Sequence, residues 1–99
     1  MTEEKSAGSM PSDPPSDALP GIDFSTLVLS LATSAMVHMG VVPETEGGPL
    51  EKNLVLAHQS IDTLEMLQNK TRGNLSDDEA KLLQSVLYEL RLGYVKARG

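Results

Sequence analysis

An all-α fold of three helices is what this chain predicts, at about residues 23–40, 50–72 and 76–96, the last two paired as an antiparallel hairpin. Three observations carry that expectation. Apolar residues recur at three- and four-residue steps through each segment. Residues suited to capping a helix, or to ending one, stand at the segment boundaries. The connection "RGNLS" between the second and third segments is short enough to make them antiparallel neighbours.

The first helix is expected to open at Phe24. Asp23 before it is a plausible N-cap, and its carboxylate suits the positive end of the helix dipole. At 100° per residue, Phe24, Leu27, Val28, Leu29, Leu31, Ala32, Ala35, Met36 and Met39 cover about 200° of arc. Thr26, Ser30, Thr33 and Ser34 occupy the opposite face with Val37, so even that face is small and uncharged. A surface helix ordinarily displays Lys and Glu; this one is expected to be buried on more than one side. Ser30 and Ser34, like Val28 and Ala32, lie one turn apart and let another helix come close. Gly40 is a natural stop.

The stretch "VVPETEGGPL" then reads as a loop, its glycines serving turns, because the phosphate-cradling pattern of a Gly-rich loop ending in Lys is missing. In the second helix Leu50, Leu54, Ala57, Ile61, Leu64 and Leu67 form one stripe, with Leu56 and Met66 partly off it. Lys70 and Arg72 favour the negative end of its dipole, and Gly73 is expected to cap it. The third helix has the clearest local signal, "LSDDEA": Ser76 as N-cap and Glu79 as its capping-box partner. Its stripe runs through Leu83, Val86, Leu87, Leu90 and Tyr94, with Leu82 and Val95 beside it. Gly93 inside it marks either fraying or a close packing point.

Composition bounds what such a protein does. Ninety-nine residues with a Pro-, Ser- and Asp-rich start make one domain at most. Residues 1–21 are expected to be a disordered acidic tail, and residues 22–99 a single helical domain. A core that small supplies only about 3–5 kcal/mol, and with no cysteine and two histidines neither disulfides nor zinc can add to it. Oligomerisation is the remaining means. The net charge is −6, and residues 1–23 hold five of the acids and one of the bases. A chain without a basic stripe is not expected to bind nucleic acid or anionic lipid. The absence of a basic-then-apolar leader, with the absence of cysteine, suggests the cytoplasm.

No catalytic pattern emerges. Met36, His38 and Met39 superficially suggest a metal site, yet Met36 and His38 point about 160° apart on a helix, so no metal or cofactor is expected. Asp62 and Glu65 lie one turn apart but read as a solvated face, and His38 or His58 as a pH sensor has no support beyond its residue type. An enzyme is not expected.

Three stretches carry a resemblance: "FSTLVLSLATSAMVHMG", "IDTLEMLQNKTRGNL" and "LLQSVLYELR". Over about residues 22–95 the chain resembles the small bacterial family called domain of unknown function 1844. The resemblance implies a short bacterial, mostly helical protein and supplies neither activity nor site residues. The expectation for function is therefore a non-catalytic interaction or scaffold module that homo-oligomerises through its first helix, binding a second copy or another protein. Its interface would comprise Phe24, Leu27, Val28, Leu31, Ala32, Ala35, Met36 and Met39, and Ala35→Arg is expected to give monomers or insoluble protein. The alternative is a membrane-associated protein whose first helix inserts, since Phe24 to Val42 is 19 residues without a charge. Against it stand the Ser, Thr and His residues in that run and the lack of flanking Lys/Arg or Trp/Tyr anchors.

Overall fold

The computed structural model describes residues 21–99, which form three α-helices: α1 (Phe24–Met39), α2 (Leu54–Lys70) and α3 (Asp77–Arg98). The described residues contain no strand. Apart from Gly21, the acidic stretch expected to be disordered lies outside the described residues.

Each start is fixed by a side chain that accepts one of the helix's unsatisfied N–H groups. Asp23 accepts from Thr26 N–H at 2.8 Å and Asn53 from Leu56 N–H at 3.1 Å. Ser76 and Glu79 form the full capping box, with Glu79 N–H to Ser76 Oγ at 3.2 Å and Ser76 N–H to Glu79 Oε1 at 2.9 Å. α1 ends where Gly40 turns left-handed at φ 82°. There Gly40 N–H reaches the Val37 carbonyl at 3.0 Å and Val41 N–H the Met36 carbonyl at 3.1 Å, the Schellman pair.

α2 begins at Leu54, four residues later than the Leu50 of the expected stripe. Leu50 to Lys52 are used to cross the end of the bundle instead. Lys52 packs on Gly40, Asn53 N–H donates to the His38 carbonyl at 2.7 Å, and Lys52 Nζ donates to the Ala97 carbonyl at 2.9 Å. Three helix ends are tied together there, and Leu50 stays exposed. At its far end α2 stops at Lys70, with Thr71 as the cap and Gly73 left-handed (φ 86°) in the turn beyond.

Those ties define the direction of travel: α2 runs back along α1, and α3 returns along α2, so α1 and α3 are parallel neighbours. The core is a single cluster: Val28, Ala32, Ala35 and Met39 from α1, Ala57, Ile61 and Leu64 from α2, and Leu83, Leu87 and Leu90 from α3. Burying each larger member contributes about 1.5–3 kcal/mol. The alanines bring the helix axes close. Gly93 is resolved as a close packing point, because a methyl group there would stand 3.1 Å from Met39 Sδ.

The membrane alternative meets two obstacles. Sixteen residues make α1 about 24 Å long, short of a hydrocarbon layer of about 30 Å, and Gly40 ends it before Val42. No helix of the described residues is long and apolar enough to cross a membrane.

Candidate functional site

The eight residues expected at an interface divide into two sets. Val28, Ala32, Ala35 and Met39 are buried in the chain's own core, which corrects their assignment to a contact between copies. Phe24, Leu31 and Met36 are half-buried against that core, and Leu27 is 38% exposed. The apolar arc of α1 is wider than two neighbouring helices can cover, so the part turned away from them remains at the surface.

The outward half of α1 holds Thr26, Leu29, Ser30, Thr33 and Ser34, all exposed and none charged. Leu29 is 51% exposed, although it was not among the expected interface residues. Thr33 turns its hydroxyl back onto the Leu29 carbonyl at 2.9 Å. Beside this surface, α1 and α3 flank a groove of about 230 Å³ lined by Leu29, Ala32 and Met36 on one wall and Ser85, Val86, Glu89 and Leu90 on the other. The exposed lining is apolar throughout, with Ser85 and Glu89 contributing only carbon surface.

The outer face of the α2–α3 hairpin is built differently. His58 Nδ1 meets Asp62 Oδ2 at 3.0 Å one turn along α2, and Arg91 reaches Glu65 Oε2 with Nε at 3.2 Å and Nη2 at 2.7 Å. The His58 ring stands edge-on to Tyr94 with centroids 5.6 Å apart. These groups, with Ile61 and Val95, line a cleft of about 310 Å³ between the two helices. Both pairs are more than a third exposed, so each contributes little to stability. A His–carboxylate pair orients a base, but the lining offers it no Ser, Thr or Cys to act on.

Sequence reading also missed a stripe on α3. Tyr88, Leu92 and Val95 are 61%, 43% and 54% exposed and recur at four and three residues, opposite the buried Leu83–Leu87–Leu90 line. The spacing was there to be found; the stronger inward stripe hid it.

The remaining clefts are less organised. His38 lines one of about 290 Å³ with Thr33, Ser34, Val37 and Glu44, and the α2–α3 turn forms one of about 390 Å³ around Gln68, Arg72 and Leu75. Arg72 there donates to Asn69 Oδ1 at 2.9 Å. Among the described residues no three His, Asp or Glu side chains converge as metal ligands. The Asp23 carboxyl is held below its ordinary range by the backbone N–H and the side chain of Thr26.

No curated protein and no solved structure matches this chain. A family model does: the one described as "Domain of unknown function (DUF1844)" matches residues 21–96.

Proposed function

For a chain that belongs to the family of domain of unknown function 1844, we propose the role of a non-catalytic helical interaction or scaffold module, homo-oligomeric through α1. One observation carries the proposal: the solvent-facing half of α1 is uncharged along all 16 residues and is continuous with an apolar groove. The rest of the chain makes that surface unusual. Two copies each carrying −6 repel wherever like charges meet, and α1 is the one helix that brings no formal charge to a contact. Leu27 and Leu29 on it, and Val86 across the groove, supply apolar area whose removal from water favours association.

The test is native mass by light scattering after size exclusion, on protein purified without detergent. A discrete dimer or larger species is the expected result. A monomer at all accessible concentrations overturns the proposal, and protein recovered only with detergent overturns it in favour of lipid.

A further inference from the structure

We infer that Lys52 is a latch: it joins residues 40–53 and the last turns of α3 into one unit that opens without the core, and its amine charge sets how often that unit opens. The inference is independent of self-association.

Two segments at one end of the bundle hold no buried residue: Gly40 to Asn53, and Tyr94 to Gly99. In the first only Gly40, Val42, Pro43 and Gly48 are even half-buried, and in the second only Tyr94 and Ala97. Met39 and Gly93, close to each other just inside these segments, mark where the packed core ends. Segments that bury so little open at a lower free energy than a core does.

Lys52 holds both segments. Its backbone lies on the end of α1: a Cβ at Gly40 would stand 3.4 Å from Lys52 Cβ, and the next residue, Asn53, donates its N–H to the His38 carbonyl at 2.7 Å. Its side chain crosses to α3, where Nζ donates to the Ala97 carbonyl at 2.9 Å. That carbonyl is among the four that an α-helix leaves without an intrahelical partner. Because α1 and α3 run parallel, the negative ends of two helix dipoles meet here, and a cation between them favours both. Lys96 and Arg98 also bring charge to the last turn of α3, but among the described residues only the Lys52 side chain bonds from one helix end to the other. Removing its charge therefore loosens the end of α1 and the end of α3 together. Opening has a consequence for α1. Glu44 is the contribution of the first segment to the cleft of about 290 Å³ that holds Val37 and His38, so displacing that segment bares the last turn of α1.

Amide hydrogen exchange, followed by NMR on the full chain, tests the latch. In the parent, the amides of Gly40, Asn53 and Ala97 should be less protected than those of Leu64 and Leu87, which open only with the core. Lys52→Met keeps the apolar stem but removes the charge and the donor. It should speed exchange at Gly40, Asn53 and Ala97 by a common factor of about two- to fivefold, the worth of a cation at a helix C-terminus. Thr71 and Ala80, at the opposite end of the bundle, should keep the parent rate, and Lys52→Arg should follow the parent throughout. Acceleration at Ala97 alone would make Lys52 a cap of α3 and overturn the coupling. Protection at Gly40, Asn53 and Ala97 equal to that of the core would overturn the separate unit. No acceleration at all, or the same acceleration in Lys52→Arg, would overturn the role of the amine charge.

Discussion

At Gly93 two effects of opposite sign meet on one residue. A glycine inside a helix costs about 1 kcal/mol relative to alanine, but the alanine methyl would press on Met39 Sδ at 3.1 Å. Met39 is an unbranched side chain that can yield by a few tenths of an ångström. Gly93→Ala should therefore leave the free energy of urea unfolding within about 1 kcal/mol of the parent, since the two effects offset. Gly93→Leu leaves no such escape and should destabilise by about 1–3 kcal/mol through overpacking. Leu64, fully buried at the centre of α2, gives the calibrating case: Leu64→Ala should cost about 2–5 kcal/mol in urea unfolding. A smaller loss there would mean the core is not packed as described.

Among the elements, α3 was legible because its whole start signal is local: Ser76 and Glu79 satisfy each other's backbone within four residues. α1 was legible at both ends for the same reason, through Asp23 and Gly40. The start of α2 was not. Leu50 fits the helical stripe as well as Leu54 does, and what excludes it is distant: the bonds of Asn53 to His38 and of Lys52 to Ala97. The surface of α1 was half legible. Its uncharged character could be read directly, but which of its apolar residues turn inward depends on where α2 and α3 lie, and no local pattern encodes that. Asn53→Ala should consequently cost about 0.5–2 kcal/mol by removing the cap that begins α2. Asp23 adds a pH dependence at the start of α1. Its folded-state value is depressed below the ordinary 3.8, so its contribution is fully present above that value and is lost as pH falls through the folded one. Asp23→Asn keeps a capping oxygen without the titration, and should show a shallower loss of thermal stability on acidification below about pH 4.

For the whole molecule, the three-helix core and the outward face of α1 are separable, and substitutions can address them one at a time. Ala35→Arg does not do so: Ala35 is fully buried between helices, so a guanidinium there breaks the monomer before it bears on any association. Leu29→Arg is the discriminating change, because Leu29 is half exposed and the arginine head can reach water without disturbing the core. The isolated bundle should keep its helicity, measured by circular dichroism. Its native mass should fall to that of one chain, since each copy would bring a charge to a contact that is otherwise uncharged. A variant that is folded and still oligomeric would show that α1 is not the contact and would direct attention to Tyr88, Leu92 and Val95. A variant that loses both helicity and mass would show instead that the bundle depends on its second copy. That outcome would agree with the small apolar core of ten residues, which in a domain of this size supplies only about 3–5 kcal/mol by itself.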